Sequence, residues 1–247
     1  MAKAVADENP TEIKRIVAEE KVDIDFQEQK FGITLLMLSI KNHQLMSCKT
    51  LLELGANVHK YNFSSGRSAI MEAAEIESSK DTNSIFLRLL LEHGANPNDE
   101  EVGARGQGNR TRKTPLVVAC SDLNQSPLEK VKLLVEAGAD INHKNEYDET
   151  PLKTALSFDH YDVMLYLLQK GAEYKDPIRT PFGSYNLCYL LRFHMFPLDT
   201  KEYKQKMEVV EFLRQKGIDY QKKYLKIWVK EAKELYPDSW KEYLEKY

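Results

Sequence analysis

The sequence predicts an all-α protein, assembled from one helix–turn–helix unit that recurs about six times. Three observations carry this reading. A Thr-Pro-Leu opening stands at Thr114-Pro115-Leu116 and again at Thr150-Pro151-Leu152. A Gly-Ala ending recurs as Gly55-Ala56-Asn57, Gly94-Ala95-Asn96, Gly138-Ala139-Asp140 and Gly171-Ala172-Glu173. The two signals agree in register: Leu36, Ile70, Leu116, Leu152 and Leu187, each aligned on the opening, follow one another at 34, 46, 36 and 35 residues.

Each part of the unit has a local physical reason. Thr caps the first turn, and the Pro behind it has no N–H to lose and a φ already suited to a helix. Gly stops the second helix in the left-handed conformation, and the Asp/Asn-rich run after it turns the chain outward. Small residues, Ala73-Ala74, Ala119-Cys120 and Ala155, let first helices approach closely. The cleanest copy spans residues 114–142, with a polar break at 122–126 and a second helix ending in Lys132-Leu133-Leu134-Val135. Opening to closing Gly is 21 residues from Thr34 to Gly55 and from Thr150 to Gly171, but 26 from Ser68 to Gly94 and 24 from Thr114 to Gly138. The turns inside those two units are therefore longer. Gly94 to Thr114 is 20 residues against 13 from Gly55 to Ser68, which enlarges one inter-repeat loop by seven.

In these residues the chain resembles the ankyrin repeat over nearly its whole length. The resemblance implies an ankyrin repeat α-solenoid of stacked helix–turn–helix repeats with β-turn fingers. Repeats are expected at approximately 1–27, 28–62, 63–108, 109–145, 146–180 and 181–220, with C-terminal capping helices at 221–247. The family's His after Thr-Pro-Leu is replaced by Met37, Met71, Val117, Lys153 and Cys188, and Thr34-Leu35 and Ser68-Ala69 lack the Pro. These departures imply a less tightly ordered array and look like a bacterial member of the family. The sixth repeat carries about eleven extra residues around Phe196-Pro197-Leu198-Asp199-Thr200. After it, Tyr224, Leu225, Trp228, Ala232 and Leu235 keep helical spacing up to Pro237. That segment either shields the last apolar face or offers Trp228, Trp240 and Tyr243 to a partner.

Composition narrows the function. A net charge of −3 over 247 residues gives no whole-chain argument for nucleic acid or a membrane surface, although residues 201–247 hold 12 Lys/Arg against 9 Asp/Glu. No run approaches the ~20 apolar residues of a membrane helix. The start MAKAVADENP lacks an apolar export core, so a cytoplasmic location is expected, with export through a removed leader left open. Cys48, Cys120 and Cys188 are expected as buried, reduced thiols. The six histidines are scattered, no metal-binding spacing occurs, and no catalytic motif, metal or cofactor is expected.

The resemblance places binding at a concave groove and at the finger tips. Finger-tip aromatics are expected at Phe26, Phe31, Tyr61, Phe63, Tyr147, Tyr174 and Phe182, some packed between neighbouring repeats and the others free as rigid anchors, and groove positions at Met37, Lys41, Met71, Glu72, Glu75, Lys153 and Phe158. The enlarged loop 98–113 runs from Asp99, Glu100 and Glu101 to Arg105, Arg110, Arg112 and Lys113, and reads either as a mobile solvated loop or as a finger that contacts a partner or a phosphate. The candidate partner-binding set is Tyr61, Phe63, Glu72, Glu75, Arg105, Arg110, Arg112, Tyr147, Lys153 and Phe158. The expected function is a non-catalytic protein–protein interaction module, monomeric, binding another protein, with no nucleic acid and no membrane span. Two alternatives differ in class: a targeting or regulatory subunit docking through its Lys-rich, aromatic C-terminal helices, and a small-molecule or enzyme site lined by Tyr185, Tyr189 and His194.

Overall fold

A computed structural model describes residues 1–76, 84–102, 112–122, 127–180, 183–191, 194–218 and 226–246. The chain divides into two compact units, Met1–Thr154 and Ala155–Tyr247. The first holds four helix pairs: α1 (Ala2–Ala6) with α2 (Pro10–Glu20), α3 (Leu35–Lys41) with α4 (Leu45–Glu53), α5 (Ala69–Glu75) with α6 (Ile85–Glu92), and α7 (Pro115–Ala119) with α8 (Leu128–Glu136). The boundary falls inside α9 (Pro151–Ser157). Beyond it lie α10 (Tyr161–Gln169), the antiparallel hairpin of β1 (Ile178–Thr180) and β2 (Gly183–Tyr185), α11 (Leu187–Leu191), α12 (Lys201–Gln215), α13 (Lys226–Leu235) and α14 (Trp240–Lys246). The sequence places its one internal division after residue 220, whereas the compact units part inside α9.

Helices start where their caps dictate. The hydroxyls of Thr34, Thr114 and Thr150 accept from the backbone N–H three residues on, at Met37 (3.2 Å), Val117 (3.5 Å) and Lys153 (3.3 Å). The residue that replaces the expected His thus still serves the cap through its backbone. Ser68 opens α5 without such a bond, and among the described residues its buried hydroxyl meets no hydrogen-bond partner. Second helices end as the glycines predict. Gly55, Gly94 and Gly138 sit at φ +86°, +83° and +92°, and the next N–H returns to the last turn: Ala56 to Leu51 (3.0 Å), Ala95 to Leu90 (2.9 Å), Ala139 to Leu134 (2.9 Å). Glu8, His43 and Asp159 adopt the same left-handed turn between paired helices, at φ +48°, +58° and +58°, with no glycine to announce it. The lengthened turns of the third and fourth repeats, 77–83 and 123–126, lie outside the described residues.

In the first unit the first helices α1, α3, α5 and α7 form one layer and the second helices α2, α4, α6 and α8 another. Leu36, Ile70, Leu116 and the small Ala73, Ala74 and Ala119 are sealed between them. Cys48 and Cys120 are buried and form no disulfide, and burial pushes the Cys120 thiol up. Charged residues are sealed in as well. Lys130 of α8 is fully buried, donates to the Ala74 and Ile76 carbonyls at the end of α5, and lies 3.7 Å from the buried Asp122 carboxylate. It caps the C-terminal carbonyls of α5 from a different helix of the next repeat.

The second unit is organised by the insertion that the sequence marked near Phe196. Ala232, Tyr243 and Leu244 of α13 and α14 form a core with Met195, Leu198, Tyr236 and Trp240 packed on it. The Tyr243 hydroxyl donates to the Phe196 carbonyl (2.6 Å), and the Tyr236 hydroxyl accepts from the Leu198 N–H (2.9 Å). Tyr243, expected as a possible docking residue, is therefore consumed internally. The side chain of Trp228, together with Tyr224 and Leu225, lies outside the described residues.

Candidate functional site

The fingers of the first unit are built from repeated short polar turns. Asp23, Asn57, Asn96 and Asp140 each accept from the N–H two residues on, at 2.8 to 3.0 Å. Rungs then join neighbouring repeats: Asp25 Oδ1 accepts from the Asn57 N–H (2.7 Å), and Asn98 Oδ1 from the Asp140 N–H (2.7 Å). His59 holds the corresponding position between those two, and among the described residues no such bond joins it to Asn96. Each tip is tied by one acceptor: Glu28 to the Lys30 and Phe31 N–H groups, Asn62 to that of Ser65, Asn145 to those of Tyr147 and Glu149.

Two glycines allow the tips to close on each other. Gly32 and Gly66 stand at φ +66° and +67°, two residues before their openings. A Cβ on Gly32 would strike the Phe63 ring, and one on Gly66 the Val102 backbone. Bonds from Phe63 N–H to the Phe31 carbonyl (2.7 Å) and from Val102 N–H to the Gly66 carbonyl (2.8 Å) run through these contacts. At the same register Arg112 (φ +36°) and Asp148 (φ +58°) carry side chains. Phe26, Phe31, Phe63, Val102 and Tyr147 stand exposed along this edge, Phe63 and Tyr147 at 63% and 61%.

Charges on the first-helix side are largely neutralised from within. Lys41 meets Glu72 (3.3 Å), and Arg67 joins both Glu75 (2.7 Å) and the buried Glu101 (2.9 Å). Asn62 Nδ2 donates to Glu72 Oε1 (3.2 Å), which links the third finger to α5. Burial pushes the Glu72 carboxyl above the usual range, against the opposing pull of Lys41. Arg112 lies between Glu100 (3.7 Å) and Glu146 (3.8 Å), and its carbonyl accepts from His143 Nε2 (3.1 Å).

Glu72, Met37 and Met71 are buried rather than open to a groove, because the neighbouring first helix covers these positions. Tyr61 is half-buried. Burial pushes its hydroxyl up, as does Asp99, whose carboxylate it meets. Lys153 is half-buried and donates to the Asp148 carbonyl (2.5 Å). Phe158 belongs to the second unit, where it stacks with His160. Phe63, Tyr147 and Glu75 are exposed, while Arg105, Arg110 and Phe182 lie outside the described residues. Sequence reasoning overlooked Asn62, although an Asn three residues before Ser65 is an available turn signal. Tyr185 and Tyr189 stack on one another at 4.5 Å, and His194 pairs with Asp159 (2.7 Å). The described grooves of this unit lie instead beside Leu165, Gln169, Met207 and Phe212.

A model of ankyrin repeats (3 copies) matches residues 1–101 and again 83–177. The chain belongs to the ankyrin repeat family. Ankyrin repeats bind other proteins and form non-catalytic interaction modules. The architecture is accordingly an all-α ankyrin solenoid. Among its relatives is a B-cell lymphoma 3 protein homolog of Mus musculus, 28% identical over 160 residues, covering 65% of this chain and 32% of the relative. An ankyrin repeat protein of Acanthamoeba polyphaga mimivirus is 32% identical over 97 residues, 38% of this chain and 55% of its own length. Human protein phosphatase 1 regulatory subunit 27 is 37% identical over 93 residues, 34% and 58% respectively. The chain thus spans between a third and three-fifths of the length of these relatives. They are viral and animal proteins, so the bacterial origin expected from the degenerate ankyrin motif is not borne out. No helix among the described residues is long and apolar enough to cross a membrane.

Proposed function

We propose that this ankyrin array recognises a partner protein through the finger tips of its first unit, with the adjoining first-helix face as a second contact. One observation carries the reading. Of the seven large hydrophobic side chains exposed among the described residues, five (Phe26, Phe31, Phe63, Val102 and Tyr147) stand on these fingers. Aromatics held on hydrogen-bonded turns lose little freedom when bound, and such residues dominate interface energetics. The first-helix charges contribute less, because Lys41, Arg67 and Glu75 already have partners within the chain. Replacing Phe31, Phe63 and Tyr147 together by Ser should weaken partner capture by about tenfold or more at unchanged thermal stability. Undiminished capture of the same proteins would overturn the reading.

A second reading, docking of a regulatory subunit through the C-terminal helices, draws on Trp240. The ammonium groups of Lys233 and Lys241 lie 4.8 and 5.6 Å from its ring, which forms a cationic aromatic patch. Trp240→Ala with Lys233→Ala should abolish binding if this patch docks, and leave it intact if the fingers do.

A further inference from the structure

The position four residues after each opening distinguishes the third repeat. It holds Leu38, Val118 and Thr154 elsewhere, but Glu72 here. A carboxylate at 4% exposure in a layer otherwise uncharged at this register is costly to keep ionised, and burial indeed pushes it up. Its two oxygens hold two different donors: Oε1 takes the Asn62 amide at 3.2 Å, and Oε2 the Lys41 ammonium at 3.3 Å. Asn62 is itself buried and ties the tip, accepting from the Ser65 N–H at 2.7 Å immediately beside Phe63. The charged groups facing Glu72 are Lys41 from α3, Glu75 from its own helix, and Arg67 from the finger. Arg67 is engaged by Glu75 and Glu101.

We propose that Glu72 is a proton-operated clamp on the third finger, whose carboxylate form fixes Asn62 and the turn presenting Phe63 while holding Lys41 down, and whose protonated form releases Lys41 and loosens that turn. An ionised carboxylate only accepts, so both donors can stay. Protonation makes one oxygen a donor. Lys41, whose side chain is 42% exposed, can swing into water, whereas buried Asn62 keeps a neutral and weaker bond. Acid therefore adds an unpaired cation to the first-helix face and relaxes the tip beside it. The regulatory meaning rests on the proposed recognition by the fingers; the clamp itself does not.

The test needs no partner. Amide-exchange protection at Ser65 and the Asn62 side-chain NMR signals are followed in the full chain from about pH 8 to about pH 4, a span covering ordinary and raised glutamates. Ser65 protection, corrected for intrinsic exchange, should fall by about fivefold as the charge-assisted bond becomes a neutral one of roughly half strength. Glu72→Gln should abolish the transition. Lys41→Met should move it to higher pH, because the cation favours the carboxylate. A flat wild-type profile, or a transition that survives in Glu72→Gln, overturns the clamp and leaves finger recognition untouched. If Glu72→Gln does not fold, Lys41→Met decides alone: an unmoved midpoint overturns the proposal.

Discussion

The two units place similar side chains to opposite effect. In Met1–Thr154 the aromatics Phe26, Phe31, Phe63 and Tyr147 project into water from hydrogen-bonded turns. In Ala155–Tyr247 Tyr161 and Tyr243 are sealed, with Phe196 set edge-on to the Tyr161 ring. Their carboxylates differ in the same way. Glu72 is held above its usual range by burial. Burial also pushes Asp159 upward, but hydrogen bonds from His194 and Tyr161 outweigh it and leave the group below the aspartate range. An aromatic or acidic residue in a repeat protein is therefore a binding candidate only where its own fold has left it unused.

The largest expected effect breaks the regular unit at its tightest point. Gly66→Ala should cost on the order of 3 kcal/mol or more, because a left-handed φ and an overlap with the Val102 backbone act together. Chemical denaturation measures it, and a loss below about 1 kcal/mol would show that the fingers are not closed as described. In the other unit, Tyr243→Ala should cost about 3 kcal/mol, from lost packing and the freed Phe196 carbonyl. Accelerated amide exchange across α12 to α14 would mark it. A smaller cost would mean that the insertion does not depend on the terminal helices.

The carboxylates sharpen the contrast through pH. Asp159, being lowered, contributes stability that is complete above the unfolded value near 3.9 and is lost as pH falls through its folded value. Glu72, being raised, has the opposite sign: its charged form opposes folding, so stability rises as pH falls through its folded value. Asp159→Asn should lower stability at neutral pH and flatten the acid limb, whereas Glu72→Gln should leave neutral stability unchanged or higher. Thermal melts across pH check both, and identical profiles would remove the distinction. The smallest effect concerns the missing rung: His59→Asn should stabilise by about 0.5–1 kcal/mol if its amide can take up the Asn96 N–H, as Asp25 and Asn98 do for their neighbours.

Much of the repeat was legible because its signals act within one helical turn. Thr34, Thr114 and Thr150 cap and Gly55, Gly94 and Gly138 stop through bonds spanning three to five residues, while Pro115 and Pro151 start helices through their own fixed φ. The left-handed turns at Glu8, His43 and Asp159 were invisible, since no glycine marks them. The candidate site was readable only in part. Phe63 and Tyr147 are exposed, but finger position alone did not say which aromatics would be free and which packed between repeats, and Glu72 and Met71, read as groove positions, are buried.

What the sequence determined alone is the unit, its register and its helix ends. What only tertiary structure decided is which face of each unit remains available. Lys130 finds its carbonyl partners at Ala74 and Ile76, Glu72 its ammonium at Lys41, and Asp159 its imidazole at His194, all across 31 to 56 residues of chain. Burial and pairing at such separations are set by the neighbouring repeat or insertion, so no pattern within a single repeat can encode them.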